Sequence, residues 1–266
     1  MMGISRSSYY NLSGEDKKLS DLKLRNEIEQ ILLSFPGYGY RRVVQVLKRE
    51  GSIVNHKRIK RVMRLFGLRS CLFRRRRKLE VFGLFNQGKA FPNLVVKKNI
   101  LGINQVWATD ITYIKIAKET IFLAAVIDVY SRAIVGWALA KKMDYVLCIN
   151  AMGIAVKARS PKPGCIHHSD QGTQYTSLEY IRFLKENGFE ISMSKKGTPT
   201  ENAFIESFFK TLKYEEIFMR GYRTMEDVIK KLPTFIDDVY NQKRLHSSLG
   251  YKSPKEFEDE LTARAG

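Results

Sequence analysis

The spacing of apolar residues divides the chain into two kinds of region. Between residues 20 and 68 apolar positions recur at helical spacing, and Gly37, Gly39 and Gly67 mark places where helices end. From residue 106 to 194 the apolar residues come instead in short runs rich in β-branched and aromatic side chains, separated by polar turns. The pattern predicts a helical unit followed by a unit that mixes strands and helices.

The last predicted helix of the first region has two unlike faces, and Asn55 is placed to cap its start. One face is apolar and the opposite face is basic, the two sets being Ile59, Val62, Met63 and Phe66 against Lys57, Lys60, Arg61 and Arg64. Three helices with a basic last one are typical of a helix-turn-helix-like DNA-binding domain. A solvated basic face on an ordinary bundle would give the same pattern.

The second region predicts a mixed sheet with helices on its faces. The predicted order is βββαβαβ, with strands and helices at 106–115, 121–128, 133–140, 144–159, 165–170, 177–187 and 189–194. The first three strands follow one another directly, so we expect them to pair antiparallel. A further helix is expected to start at Thr198, Pro199 and Glu201. Another runs from 225 to about 244, where Pro233 is expected to kink or divide it.

The charge of the chain favours a polyanionic partner. The formal net charge is +19, and Lys and Arg are concentrated between residues 41 and 80. Within that stretch a basic run includes Arg74, Arg75, Arg76 and Arg77. The run can lie along a DNA backbone or simply be solvated, and we favour DNA contact because it adjoins the basic helix. We predict an N-terminal domain at 1–80 and a basic linker with little packing at 81–99.

Cysteine usage and hydropathy indicate the compartment. Cys71, Cys148 and Cys165 are widely spaced and form no Cys-x-x-Cys pair, which favours reduced thiols. The longest apolar run, 121–127, is too short to span a bilayer, and the first ten residues lack the apolar core of a signal peptide. We therefore expect a soluble cytoplasmic protein without a membrane partner.

Three acidic residues lie in distinctive local patterns. Asp110 lies within a strand, where a charge among apolar neighbours is costly unless it is paired or binds metal. Asp170 ends a strand, which is a common position for ligand groups. Glu206 lies further along the chain, on a predicted helix. Each has an ordinary alternative: a solvent-facing strand residue, an Asp that shapes a turn, and a Glu paired with Lys210.

Taken together, the three carboxylates suit divalent cations and phosphodiester chemistry. Magnesium prefers oxygen ligands, and two such ions can activate the attacking oxygen and stabilise the leaving oxygen. We expect Asn202, Glu206, Lys210 and Lys213 to share one polar stripe of their helix. On that stripe Glu206 would bind metal, and the other three residues are predicted to face DNA.

These residues stand within a larger ordered set of motifs. The stretches around the three acids read WATDITY at 107–113, HSDQGTQY at 168–175 and ENAFIESFF at 201–209. Outside them the chain has GYGYRR at 37–42 and YNQKRLHSSLGY at 240–251. The set resembles the insertion-sequence-three (IS-three) family of bacterial transposases, from about residue 36 to 258.

The resemblance implies a fold, a reaction and partners. The fold is a ribonuclease H-like, retroviral-integrase-like mixed-sheet α/β core at 100–218 with a C-terminal helical extension at 219–266. Asp110, Asp170 and Glu206 would form the catalytic triad holding two Mg²⁺ ions, with Mn²⁺ able to substitute. The chain would cleave and join double-stranded DNA at insertion-sequence ends and target sites, as a homo-oligomer near the nucleoid. Family members also act with, or fused to, the product of an upstream reading frame.

Other classes fit less well. A ribonuclease H proper needs no basic helical domain. A retroviral integrase would add a zinc unit, but none of His56, His167, His168 and His246 lies at ligand spacing with two cysteines. We expect adjacent His167 and His168 to be strand residues with one pointing away from the site, and His246 either to cap a helix or to touch DNA. A DNA-binding protein that has lost catalysis remains the non-enzyme alternative.

Overall fold

The computed structural model describes residues 6–73, 91–96, 98–117, 119–195 and 199–265. The chain forms two compact units, one at 1–76 and one at 77–266. Among the described residues, no helix is long and apolar enough to cross a membrane. All three cysteines are free thiols, as expected.

The first unit consists of three helices, α1 Arg6–Ser34, α2 Tyr40–Arg49 and α3 His56–Leu65. Asn55 caps α3 as predicted, since its Oδ1 accepts from the Lys57 N–H at 2.9 Å. Helix α1 starts before the predicted residue 20, and its buried stripe runs through Leu24, Ile28 and Ile31. Leu22 is exposed because it falls outside the helical repeat of these three residues.

The second unit contains one five-stranded sheet. Its strands are β1 Val106–Ile116, β2 Glu119–Asp128, β3 Ile134–Ala140, β4 Ile166–Ser169 and β5 Glu190–Met193, in the order β3-β2-β1-β4-β5. The first three strands pair antiparallel, which confirms the prediction. Strand β4 pairs parallel with both β1 and β5, so the sheet is mixed.

The α-helices described in this unit are α4 Tyr145–Arg159, α5 Thr173–Thr176, α6 Leu178–Glu186, α7 Ala203–Leu212, α8 Phe218–Arg220, α9 Met225–Pro233 and α10 Pro254–Ala265. Of these, α4 and α6 pack on one face of the sheet and α7 packs on the other. Helices α4 and α6 start at side-chain caps: the Leu147 N–H donates to Asp144, and the Tyr180 N–H donates to Ser177. These caps fix where α4 and α6 begin beside the sheet.

Alternation along β1 sends its side chains to two hydrophobic clusters. Ala108 and Ile114 pack in the cluster that also contains α7, whereas Trp107 packs in the cluster that contains α4 and α6. Asp110 shares the parity of Ala108, so it faces the α7 side. Part of the predicted C-terminal extension belongs to the same core, with Phe235, Ile236 and Tyr240 buried in the α7 cluster.

Two of the C-terminal helices pass into wider π-helical turns. Helix α7 is followed by a π-helical turn at Lys213–Ile217, and α9 is followed by one at Thr234–Lys243. The second change comes directly after Pro233, which lacks the N–H that an α-helix needs there. The sequence predicted the division at Pro233, but it gave no indication of the π-helical turn at Lys213–Ile217.

Residues 91–96, at the end of the predicted linker, pack against the second unit. The Leu94 N–H donates to Ser192 Oγ at 2.9 Å, and Asn93 Nδ2 donates to Glu201 Oε2 at 2.6 Å. Leu94 and Val95 also contact the α7 cluster. The expectation of little packing is therefore wrong here, because these apolar residues reach the core. The preceding residues 74–90, including Arg74, Arg75, Arg76 and Arg77, lie outside the described residues.

Candidate active site

Asp110 lies in the middle of β1 and is partly buried. Its Oδ1 accepts from the N–H of Ile111 at 2.7 Å, which lowers the pKa. Burial and the negative charges of Asp170 and Glu206 outweigh that bond, and together they raise the pKa of Asp110 from 3.8 to about 8. Both of the other acids therefore affect the ionisation of the Asp110 carboxyl group.

Asp170 is the first residue after β4, at its carboxyl end. Desolvation by the surrounding chain raises its pKa, and a 2.9 Å bond from the Gly172 N–H to its Oδ1 lowers it. A Cβ at Gly172 would lie 3.0 Å from the same oxygen and 2.9 Å from Gln174 Oε1, so a larger residue would make these side chains shift. The turn after β4 thus holds the Asp170 carboxylate in place.

Glu206 lies in the first turn of α7 and is exposed. Partial desolvation raises its pKa. A 3₁₀ turn at Pro199–Asn202 precedes the helix, and in it Asn202 Nδ2 donates to the carbonyl oxygen of Thr109 at 3.1 Å. The start of α7 is therefore tied to β1 one residue before Asp110.

The three carboxylates offer oxygen atoms that suit hard divalent cations, and all three have raised pKa values. Like charges repel, so carboxylates stay apart unless a cation lies between them. In the described part of the chain, no three His, Cys, Asp or Glu side chains are close enough to hold one metal ion. In chemistry, the donor set fits Mg²⁺.

Lys213 lies beside Asp110 at the end of α7. It is 8% exposed, and its Nζ is 4.4 Å from the centre of the Tyr113 ring. Burial lowers the pKa of Lys213, and the negative charge of Asp110 opposes that shift. In return, the positive charge of this buried ammonium group lowers the pKa of Asp110.

A polar cluster behind β1 was missed by the sequence reasoning. His167 Nε2 lies 2.9 Å from both Thr109 Oγ1 and Tyr180 Oη. Burial lowers the pKa of His167 to about 3, so the ring is neutral. On the other face of β4, His168 Nδ1 lies 2.9 Å from Ser192 Oγ. The two histidines point to opposite faces of the strand, as expected for neighbours. The only signal in the sequence was strand alternation, which placed His167 and His168 on opposite faces of their strand.

The comparisons with known proteins cover the same regions. The integrase core domain family matches residues 102–199, and a second integrase core domain family matches residues 187–254. An HTH-like domain family matches residues 19–78. The three matches together cover both compact units.

Curated relatives extend the match along the chain. The transposase for insertion sequence element IS904 of Lactococcus lactis subsp. lactis (strain IL1403) is 40% identical, over 83% of this chain and 87% of that protein. Transposase InsF for insertion sequence IS3A of Escherichia coli (strain K12) is 32% identical, over 99% of this chain and 93% of that protein. The chain belongs to the IS-three family of insertion-sequence transposases. It is therefore a polynucleotidyl transferase, and nothing in these matches favours a non-catalytic DNA-binding protein.

A solved structure supports the fold of this transposase. The simian T-cell lymphotropic virus intasome in complex with PP2A regulatory subunit B56 gamma matches with a TM-score of 0.50 and 15% identity. The match covers 80% of this chain and 69% of that one. At this identity the likeness concerns the fold alone, which is the predicted ribonuclease H-like integrase core.

The predicted DNA-binding face of the transposase lies on α3. Ile59, Val62 and Met63 are buried as expected, while the basic residues Lys57, Lys60, Arg61 and Arg64 are exposed. Arg61 also has a structural role, because its Nη2 atom lies 2.6 Å from Oδ2 of Asp21 on α1. DNA contact by this face stays a prediction.

The expected polar stripe on α7 is wrong at both of its ends. Asn202 lies in the 3₁₀ turn and Lys213 begins the π-helical turn, so neither follows the α-helical repeat. Both residues are buried, whereas Lys210 is exposed beside Glu206. His246 is also buried and packs edge-on against Tyr240, 5.0 Å between ring centres.

Proposed function

We propose that the chain is a Mg²⁺-dependent transposase whose Asp110, Asp170 and Glu206 together hold two Mg²⁺ ions, with Mn²⁺ able to substitute. Bound ions of this kind activate an attacking oxygen and stabilise a leaving oxygen in phosphodiester chemistry. The chain's part is to supply the three carboxylates from separate elements and to keep their spacing.

One observation carries this proposal. The charges of Asp170 and Glu206 both raise the pKa of Asp110, although the three residues come from β4, α7 and β1. A cluster of carboxylates that disfavours its own ionisation gains from a divalent cation, since the cation removes the repulsion. Such perturbed groups are common at catalytic sites.

The proposed reaction has two steps at phosphorus. In the first, water attacks a phosphodiester at an element end, its oxygen bonds to phosphorus, and the 3′-oxygen leaves as a hydroxyl. In the second, that 3′-hydroxyl attacks a phosphodiester of target DNA, and a new 3′-oxygen leaves. In this proposal Asp110 on β1 would lie beside the reacting atoms, and Lys210, which is exposed on α7, would contact a phosphate.

The proposed partner is double-stranded DNA, at both the element ends and the target. Lys57, Lys60 and Arg64 on α3, with the run Arg74, Arg75, Arg76 and Arg77, supply the cations for phosphate contacts. Asn202 and Lys213 are buried, so we do not assign them to DNA. Assembly as a homo-oligomer on DNA and association with an upstream-frame product are proposed from the family resemblance.

The test is strand cleavage and strand transfer on an element-end duplex with Mg²⁺. We expect Asp170→Asn to lose activity, whereas Asp259→Asn should keep it, because Asp259 is an exposed residue paired with Lys255 on α10. Equal activity in the wild type and in Asp170→Asn would refute the assignment.

A further inference from the structure

Thr109 makes polar contacts with both of the elements that flank Asp110. Its hydroxyl lies 2.9 Å from His167 Nε2, and its carbonyl oxygen accepts from Asn202 Nδ2 at 3.1 Å. The hydroxyl contact uses the side chain and the carbonyl contact uses the main chain. One residue of β1 is thereby bonded to β4 and to the turn that starts α7.

Each of these bonds leads along the chain to one of the proposed metal ligands. Thr109 directly precedes Asp110 on β1, and His167 lies three residues before Asp170 on β4. Asn202 lies four residues before Glu206, one helical turn away. The three elements that carry the carboxylates are thus joined at a single point.

The junction is closed to water. Thr109 is 3% exposed, His167 is fully buried and Asn202 is 5% exposed. Hydrogen bonds in such surroundings are strong, and a partner left without its bond cannot recover one from solvent. Tyr180 Oη, also 2.9 Å from His167 Nε2, fixes the ring from the α6 side.

We propose that Thr109, His167 and Asn202 are positioning residues that set the spacing of Asp110, Asp170 and Glu206, and hence the affinity of the site for divalent cations. This inference rests on the proposed function of the three carboxylates. The groups that orient metal ligands from outside the coordination shell are known to change metal affinity by about 10- to 100-fold when removed.

A second buried bond provides a matched control. Ser192 Oγ contacts His168 Nδ1 at 2.9 Å and joins β4 to β5 on the face of β4 opposite His167. Ser192 is fully buried and also accepts from the Leu94 N–H. Its loss should cost at least as much stability as loss of the Thr109 hydroxyl, without touching the junction.

The experiment compares Thr109→Val with Ser192→Ala in the full-length chain. Valine keeps the shape of threonine and the main-chain carbonyl but removes the hydroxyl. Mn²⁺ affinity is measured from the electron paramagnetic resonance signal of free Mn²⁺, and stability from urea unfolding. We expect Thr109→Val to bind Mn²⁺ about 10-fold more weakly. Thr109→Ser should return to wild-type affinity, and Ser192→Ala should keep it despite lower stability.

Further variants separate this inference from the proposed function. Asp170→Asn should lose Mn²⁺ binding, and wild-type affinity in that variant would overturn both. If Asp170→Asn loses binding while Thr109→Val keeps wild-type affinity, only the positioning inference falls. The positioning inference also falls if Thr109→Val and Ser192→Ala weaken Mn²⁺ binding equally.

A second variant serves if Thr109→Val fails to fold. Tyr180→Phe removes the hydroxyl that orients His167. Unchanged Mn²⁺ affinity in Tyr180→Phe would overturn the inference.

Discussion

Helices α3 and α7 both carry basic residues, but they hold their cations in different surroundings. On α3, Lys57 and Arg64 are exposed to solvent. Lys60 is also exposed, and its Nζ lies 5.7 Å from the centre of the Tyr40 ring. Such groups are screened by salt and act chiefly on the phosphates of a polyanion.

At the end of α7, Lys213 is buried and its ammonium group lies over Tyr113. Its charge lowers the pKa of Asp110, so it acts on one neighbouring carboxyl group. Salt screens a buried charge far less than an exposed one. The contrast teaches that the basic residues of the first unit suit attraction of DNA, whereas this lysine of the second unit adjusts the carboxylate cluster.

The largest effect is expected where the carboxylate cluster loses its most buried member. Asp110→Asn should reduce strand transfer by about 10³-fold or more, because the proposed metal site would lose a charge at the reacting centre. A duplex with preprocessed ends, followed under single-turnover conditions, measures this loss. Asp259→Asn serves as the control, and near wild-type rates in Asp110→Asn would contradict the cluster's role.

The same substitution should raise stability, and the sign follows from the pKa. Asp110 titrates at about 8 in the folded chain and near its ordinary 3.8 when unfolded, so stability falls as pH rises between these values. Asparagine does not ionise, so the variant does not lose this stability as the pH rises. We expect the free energy of unfolding at pH 8 to rise by about 2–4 kcal/mol, with little difference near pH 4. Urea unfolding at both pH values measures it, and a less stable variant at pH 8 would contradict the shift.

An intermediate effect is expected from the exposed cations of α3. The triple variant of Lys57, Lys60 and Arg64 to Glu should weaken DNA binding by about 10-fold or more at moderate salt. The slope of log affinity against log salt should shrink by about 1 for each phosphate that the protein no longer binds. Fluorescence anisotropy with a labelled duplex measures both.

The control for this variant changes Lys142, Lys157 and Lys185 to Glu, which alters the net charge equally on exposed sites of the second unit. Equal loss of affinity in both triples would mean that total charge, and no particular face, governs binding. Arg61 is left unchanged because Arg61→Glu would place a second acid beside Asp21 and destabilise the first unit.

The smallest effect is expected from a comparison of two lysines in the α7 region, Lys213 and Lys210. Lys213→Met removes the charge that lowers the pKa of Asp110, so a larger share of Asp110 stays protonated at pH 7. We expect the pKa of Asp110 to rise in this variant, and the ¹³C signal of its carboxyl group in metal-free protein measures the change. Lys210→Met changes an exposed residue of the same helix and should leave the pKa of Asp110 unchanged. Equal pKa values of Asp110 in the two variants would remove Lys213 from the cluster.

Regular periodicity made much of this fold predictable. The strands around Asp110 are rich in β-branched and aromatic residues, and three of them follow one another without a helix, so antiparallel pairing could be expected. Helix α3 keeps the α-helical repeat for ten residues, and its buried and exposed faces match the prediction. The positions of Asp110, Asp170 and Glu206 were identified from local patterns and from the family resemblance.

The failures come from tertiary contacts and from changes of the helical backbone, neither of which local periodicity reveals. Asn202 leaves the polar stripe because it bonds the carbonyl oxygen of Thr109 on β1. Lys213 leaves it because α7 widens into a π-helical turn at that residue. Arg61 pairs with Asp21, 40 residues away, and no spacing rule reveals such a partner.

The most direct test is the titration of Asp110 itself, followed by the ¹³C signal of its carboxyl group in metal-free protein. We predict a midpoint at about 8 in the wild type. The midpoint should fall in Asp170→Asn and, by less, in Glu206→Gln, because each removes a negative charge that raises this pKa. A midpoint at the ordinary value of an aspartate, or one that neither variant changes, would contradict the claim that the three carboxylates form one cluster.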